Sequence, residues 1–393
     1  MFGFLKKKQK SLTGIDIGSS VVKCLRLELG AERPLITHFA MVDLAPEAIV
    51  DGEIMDRELV IQALIECADK AGLPKEPVAT AVSGRAVIVK KIVMDKMSEE
   101  DAREAIYWEA EQHVPFDIDD ITLDFQILED DIGAGQMEVL LVAAKKDMVQ
   151  THAELIRDAG FQPMVIEVAS FANQNAWEFL RNETHSELEA RDGDEEIADA
   201  SDEAPLDDFD DEPAGSDAEE EAVEDSEFVA LLDVGGGVTN VHIVKDGVPY
   251  FTRDLPIGST QFVEEFQKQL GLTWETASDV ARGETGEVDH ELVIDIVRSV
   301  GEEIFLGLEP SLSFLKNSGE AEGIDRIVVS GGGARLPGLA PYLAECYNVP
   351  SEVADPLAHI DHESGVFGDE NPDQLSPMLT VGVGLALRKV VER

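Results

Sequence analysis

Cysteine is scarce in this chain: Cys24, Cys67 and Cys346 are the three among 393 residues, far apart in the sequence and none in a CxxC pair. So odd and sparse a set provides neither a disulfide framework nor zinc-site spacing, and it fits a reducing compartment. Basic residues are short as well, 31 Lys and Arg against 81 Asp and Glu, for a formal charge of −50. Phosphodiester backbones and anionic bilayers repel such a chain, which argues against nucleic acid as a ligand. Long apolar runs are missing. The longest stretch free of charge, residues 374–387, is 14 residues and contains Ser, Pro, Thr and Gly, too short to span a bilayer. Residues 1–10 carry Phe2, Phe4 and Leu5, then Lys6, Lys7, Lys8 and Lys10, with no apolar core behind them, so no secretory signal is expected. The tail reads as a frayed basic end or as a contact for a membrane or partner.

What is present is enough for a large core. Hydrophobic residues make up 44% of the chain, and its length suits two domains or one large duplicated domain. The acid is unevenly spread. Residues 183–227 hold 22 Asp or Glu, one Arg (Arg191) and one aromatic (Phe209), which is −21 of the −50. That stretch lacks the apolar content to offset its ordering entropy and reads as a disordered acidic linker, a solvated spacer or a segment that binds metal or a partner. The remaining −29 still leaves an acidic body, as in proteins adapted to high salt.

One figure in the sequence repeats. Alternating apolar residues from Leu12 break sharply at Gly14-Ile15-Asp16-Ile17-Gly18-Ser19-Ser20 and resume to Leu29, as a strand, a tight turn and a second strand would. The same figure returns in the second half as Leu231-Leu232-Asp233-Val234-Gly235-Gly236-Gly237-Val238-Thr239-Asn240. Each copy puts an Asp at a strand end, then glycines and a hydroxyl residue. Glycines let backbone N–H groups approach phosphate oxygens, Ser or Thr adds donors, and the Asp can hold magnesium through water. One such hairpin has an ordinary turn explanation; two in separate halves point to a duplicated nucleotide-binding fold. A third element, Ile327-Val328-Val329-Ser330-Gly331-Gly332-Gly333, is a buried strand ending in three glycines, with a helix expected from about Pro341 to Cys346. Backbone at such a turn can lie against a purine.

In this order and at these separations the three elements resemble the phosphate-1, phosphate-2 and adenosine motifs of the actin, sugar-kinase and DnaK-type superfamily. Within it the chain resembles the PilM family of type IV pilus assembly, relatives of the division protein FtsA. The opening Met1-Phe2-Gly3-Phe4-Leu5, the segment Ile106-Tyr107-Trp108-Glu109-Ala110-Glu111-Gln112-His113-Val114-Pro115-Phe116, the run Val139-Leu140-Leu141-Val142-Ala143-Ala144-Lys145-Lys146 and the ending Val383-Gly384-Leu385-Ala386-Leu387-Arg388 carry that resemblance. It implies an α/β fold, the two-lobed actin-like ATPase (duplicated ribonuclease-H-like) fold with an FtsA/PilM-type inserted subdomain. It implies ATP and Mg in the cleft. Asp16 and Asp233 match the magnesium-organising aspartates. Gly18, Ser19 and Ser20 match the first phosphate turn, and Gly235, Gly236, Gly237 and Thr239 the second. Gly331, Gly332 and Gly333 match the adenosine loop. Lys23 fits pairing with a phosphate or a surface ion pair. One departure stands out: where relatives carry a Glu and a Lys near the ribose, Ser278 and Ala281 stand here.

The expected organisation is a basic tail (1–10), a first-lobe core (11–84 and 167–182), an inserted α/β unit (85–166) and the linker (183–227). A second-lobe core (228–245 and 324–393) and an outer subdomain (246–323) follow. Within the insert a strand is expected at Val87–Met94, a helix capped by Ser98 and stopped by Pro115, two strands joined by a turn at 130–135, and a helix from Lys146 to Ala159 closed by Gly160. The resemblance implies that this unit helps form a groove for the cytoplasmic N-terminal peptide of a PilN-like protein, and through it a link to the PilN/PilO complex at the inner membrane. Tyr107 and Trp108 read as groove anchors or as half-buried packing residues. The implied role is a cytoplasmic ATP-binding adaptor for which hydrolysis is not required. The alternatives on this fold are a small-molecule kinase, for which no motif marks a base, and an FtsA-like filament protein, whose amphipathic C-terminal helix has no counterpart before Arg393. No peptide-binding domain of the DnaK type follows the lobes.

Overall fold

The first strand starts at Ser11. The computed structural model describes residues 11–30, 33–50, 52–198, 226–286, 288–318 and 322–388. Three antiparallel strands come first, β1 (Ser11–Ile17), β2 (Val21–Glu28) and β3 (Leu35–Asp43). A small hairpin, β4 (Ile49–Val50) and β5 (Glu53–Ile54), leads to α1 (Arg57–Ala71). The Asp56 carboxylate caps α1 by accepting the Leu59 N–H at 3.1 Å, and left-handed Gly72 ends it. β6 (Pro77–Val82) then returns parallel to β1. Cys24 of β2 and Cys67 of α1, distant in sequence and both free, meet in the core, where the Cys67 thiol donates to the Ala40 carbonyl at 3.2 Å and a hydrogen bond between the two thiols, with burial, raises the Cys24 pKa.

The insert follows as β7 (Val87–Asp95), α2 (Glu99–His113), β8 (Ile121–Gly133) and β9 (Gln136–Lys145), with sheet order β7-β9-β8. Ser98 caps α2 by accepting the Asp101 N–H at 3.2 Å. Ala102, Ile106 and Ala110 on α2 bury against Ile92, Met137, Val139 and Leu141. β8 runs further than the sequence pattern suggested, to Gly133, and the turn shrinks to Ala134 and Gly135, both at positive φ as a two-residue hairpin requires.

α3 (Lys146–Asp158) corrects the expected boundary of the insert at 166. Its Leu155 and Ile156 lie in the first-lobe core with Leu64 and Val78, and His152 bonds Thr80 of β6 at 2.8 Å. The helix belongs to the lobe because its apolar face matches α1 rather than the three-stranded sheet. Gly160 closes the helix as expected: it follows the C-cap Ala159 at φ 88, its N–H donates to the Arg157 carbonyl at 2.9 Å and the Phe161 N–H to the Ile156 carbonyl at 3.0 Å, and the chain turns into β10 (Gln162–Val168), parallel to β6. α4 (Ala169–Ala198) continues into the stretch expected to be disordered from 183. Glu, Leu and Ala there are good helix formers, which extends the helix although the composition is acidic. Residues 199–225 of the expected linker lie outside the described residues, as does the 1–10 tail.

The second half rebuilds the first. β11 (Phe228–Val234), β12 (Thr239–Lys245) and β13 (Val248–Leu255) form an antiparallel meander. Helices α5 (Ser259–Leu270), α6 (Trp274–Ala281) and α7 (His290–Ser318) precede β14 (Arg326–Ser330), α8 (Leu339–Tyr347) and β15 (Ser351–Val353). The sheet order β13-β12-β11-β14-β15 repeats β3-β2-β1-β6-β10, so the two halves share one topology. The chain then leaves this lobe, contrary to the expectation that 324–393 all belong to it. β16 (Asp361–His362) pairs with β3, and after α9 (Pro372–Leu375), α10 (Thr380–Leu387) packs on β1, β2 and α4. Val383 and Ala386 bury with Leu25, Leu27 and Phe39 because α10 is apolar on every side and must be enclosed. At Gly384 the helix backbones touch, and a Cβ would collide with the Ala172 carbonyl of α4.

Candidate functional site

The two glycine turns face each other, and they are closed alike. Gly18 N–H donates to the Val21 carbonyl at 3.1 Å, and Gly235 N–H to the Val238 carbonyl at 3.0 Å. Across the gap, Gly237 N–H donates to the Ser19 hydroxyl at 2.9 Å, and the Ser20 side chain lies over Gly236. The two turns expected to receive phosphates thus touch directly across the lobes, through Ser19 with Gly237 and Ser20 with Gly236.

Below the turns, Asp16 pairs across β1 and β2 with Lys23, whose Nζ lies 2.8 Å from the Asp16 carboxylate. These side chains are 15% and 13% exposed, so Lys23 is an interior partner and the surface ion pair is excluded. Burial works against the Lys23 ammonium, but the charge and hydrogen bond of Asp16 outweigh it, with help from Asp233, and hold its pKa above the ordinary value. Asp233 keeps part of its surface open to the cleft, yet the protein around its carboxyl pushes it up to about 6, against the pull of Lys23 and with the aid of Asp16 and Asp254. Two carboxylates thus converge on one cation. Hard oxygen donors of this kind fit magnesium held through water, with Lys23 filling the cationic position.

Thr239 is placed differently from its expected role. Its side chain is fully buried and donates to the Ile257 carbonyl at 2.7 Å, so its hydroxyl supports the loop before α5. That loop was overlooked in the sequence. Ser259 and Thr260 donate their N–H groups to the Gly235 and Gly236 carbonyls at 2.8 and 2.9 Å, fixing the second turn from behind. The signal available was Gly258-Ser259-Thr260, a helix start directly after a strand.

On the third motif, Gly331 sits at φ 81 with its N–H on the Pro377 carbonyl at 2.8 Å, and a Cβ would strike the Asp233 carboxylate. Glycine is required there by conformation and space together. A Cβ at Gly333 would strike Val234, while one at Gly332 would meet only Met378 Cε, at 3.9 Å. The residues Gly332–Arg335 form a 3₁₀ turn, and α8 starts at Leu339, two residues before the expected Pro341. Arg335, which the sequence reading passed over, donates to the Arg282 carbonyl at 3.1 Å. Burial and the neighbouring Arg282 depress its pKa. Ser278 lies on α6 and Ala281 is buried there, so the arginines 282 and 335, rather than a Glu and Lys, edge this side of the cleft.

The lobes are also tied at a second point. Asp254 on β13 accepts the Gly84 N–H and the Asn240 side-chain amide, both at 2.5 Å, and burial raises its pKa. On α4, Asn173 bonds Ser330, while Gln174 bonds His242, whose other nitrogen meets Thr252. His242 is fully buried, which lowers its pKa to about 3 and keeps it neutral. Tyr107 and Trp108 lie on α2 between the buried Ile106 and Ala110 but off that face, 49% and 72% exposed.

Residues 14–196 and 218–390 match the family described as type IV pilus assembly protein PilM. The chain belongs to the PilM family. A solved PilM–PilN type IV pilus biogenesis complex includes a chain 26% identical, with a TM-score of 0.73, over 97% of this chain and 99% of that one. The ethanolamine utilization protein EutJ from Carboxydothermus hydrogenoformans shares the fold, at 13% identity and a TM-score of 0.50, over 95% of this chain and 88% of that one. The cell division protein FtsA of Borreliella burgdorferi (strain B31) is 26% identical over 187 residues. That match covers 41% of this chain, which spans about two-fifths (42%) of the curated relative's length. The PilM fold seen here is the two-lobed actin-like ATPase fold, with its paired hairpins in the cleft. Among the described residues, no helix is long and apolar enough to cross a membrane, and no group of three or more His, Cys, Asp or Glu side chains forms a metal cluster.

Proposed function

We propose that this PilM-family chain is a cytoplasmic, nucleotide-binding adaptor of the type IV pilus platform. It holds the N-terminal peptide of a PilN-like protein, and through it meets the PilN/PilO complex at the inner membrane. The observation that carries the nucleotide half is the apposition of the hairpins, with Asp16, Lys23 and Asp233 beneath the Ser19–Gly237 contact. In this reading Gly18 and Gly235 close the two turns, Ser19, Ser20, Gly236 and Gly237 offer donors to the phosphates as the Ser19–Gly237 contact opens, Lys23 moves from Asp16 to a phosphate, and Gly331, Gly332 and Gly333 border the adenosine. Asp16 and Asp233 hold Mg through water; the ion supplies charge neutralisation for the bound triphosphate. Thr239 acts behind the turn. The partner half rests on family membership and on the PilM–PilN complex, and exposed Tyr107 and Trp108 are offered as anchors for an extended peptide.

ATP binding shifts lobe closure, and closure moves the insert through the Asp254–Gly84 tie; binding alone is sufficient for this. Titration with Mg–ATP of the wild type, Asp16→Ala and Asp233→Ala tests the cleft. Loss of affinity by at least tenfold in both variants is expected, and equal binding in all three refutes the assignment. Pull-down with a PilN-type N-terminal peptide, with and without ATP, tests the adaptor role. Nucleotide-dependent capture is expected, and no capture in either condition overturns it.

A further inference from the structure

A cavity of about 540 Å³ opens where three units meet, lined among others by Ser83, Arg85, Ser170, Asn240, Arg253 and Asp254. It lies at the carboxyl ends of β6 and β10, the edge of an open α/β sheet at which ligands bind, and its volume is that of a small-molecule pocket. Its chemistry is one-sided. Asp254 has both carboxylate oxygens engaged by Gly84 and Asn240. The side chains of Arg85 and Arg253, both exposed at the cavity mouth, make no ion pair or hydrogen bond among the described residues, in a chain where acids outnumber bases 81 to 31. Ser170, 3% exposed, has a buried hydroxyl with no hydrogen-bond partner. The free side-chain donors of the cavity thus include two guanidinium groups and the buried Ser170 hydroxyl, and guanidinium forks match phosphate oxygens bidentately.

We propose that this cavity is a phosphate-binding site in which Arg85 and Arg253 take the charge and Ser170 donates a hydrogen bond. The phosphate comes from one of two sources, the terminal phosphate of a nucleotide in the neighbouring cleft or a free phosphate or pyrophosphate. The first source rests on the nucleotide reading above; the second does not. Arg85 stands between β6 and β7, so an occupied site bears on the link from the first lobe to the insert.

Calorimetric titration of the full chain with pyrophosphate, ADP and ATP in low salt separates these cases. The variants are Arg85→Gln/Arg253→Gln and, because a double change in a lobe junction could disturb folding, Ser170→Ala alone. Pyrophosphate binding that persists with ADP saturating the cleft and falls at least tenfold in the double variant supports a free-phosphate site. An ATP-over-ADP preference of tenfold or more that the double variant erases supports the terminal phosphate. Should ATP fail to bind at all, pyrophosphate binding still decides the cavity. Pyrophosphate affinity and ATP preference unchanged in both variants, or absent from the wild type, overturn the proposal.

Discussion

Asp233 shows how a single residue sets function against stability. Its carboxyl titrates near pH 6 in the fold instead of the ordinary 3.8, so the native state holds a proton that the unfolded chain has released. The stabilisation this gives is complete below about pH 3.8 and is lost as pH rises through about 6. At neutral pH the protein carries the cost of a charge with limited solvation, about 3 kcal/mol at most for a two-unit shift. Asp233→Asn keeps the shape and removes that cost. We expect urea denaturation at pH 7.5 to show a gain of about 1–3 kcal/mol, with no gain at pH 3.5, while Mg–ATP binding is lost. An equal or lower stability at pH 7.5 contradicts it. His152 and His242 work in the opposite sense. Burial lowers them from 6.5 to about 4 and about 3, so the unfolded chain takes up protons first and stability falls as pH drops from about 6.5 toward 4. His152→Gln, which can retain the bond to Thr80, is expected to flatten the acid limb of the stability curve.

At the scale of elements, the crossing of α4 and α10 is the joint that sequence could not reveal. A Cβ at Gly384 would meet the Ala172 carbonyl, which cannot rotate away. Gly384→Ala should therefore destabilise the chain by about 1–3 kcal/mol despite its better helix propensity, read as a lower urea midpoint with an unchanged slope. Unaltered stability would mean that the helices separate without cost. What was legible locally followed from local signals: the hairpins at Asp16 and Asp233 from alternation and glycine, and α2 from Ser98 and Pro115. What was missed depends on partners distant in sequence. Nothing near Thr239 announces that its hydroxyl goes to Ile257, nor do residues 146–158 reveal that their apolar face docks on α1. The first-lobe destination of α10 lies in its burial on all sides, and Asp254 acquires its role only when Gly84 arrives from the other lobe.

For the whole molecule, the charge of −50 acts as a field over all these local arrangements. Self-repulsion among surface carboxylates opposes the compact state, and it is screened over about 10 Å at 0.1 M salt but about 3 Å at 1 M. Ion pairs between neighbours, such as Arg298 with Glu345 at 2.9 Å, persist at shorter range, though exposed pairs contribute little. Adding KCl from 0.1 to 2 M should then raise the free energy of unfolding, because repulsion is relieved more than attraction is lost. The same field bears on ligands. An anionic nucleotide approaching an acidic body meets net repulsion, whereas the donors that receive it, Lys23 and the turn amides, are enclosed and poorly screened. Mg–ATP affinity should accordingly hold or strengthen between 0.05 and 0.5 M KCl, where a site on a basic protein would weaken. Calorimetry across that series checks both statements. Affinity falling steeply with salt would show that exposed cations, and not the enclosed hairpins, hold the phosphates.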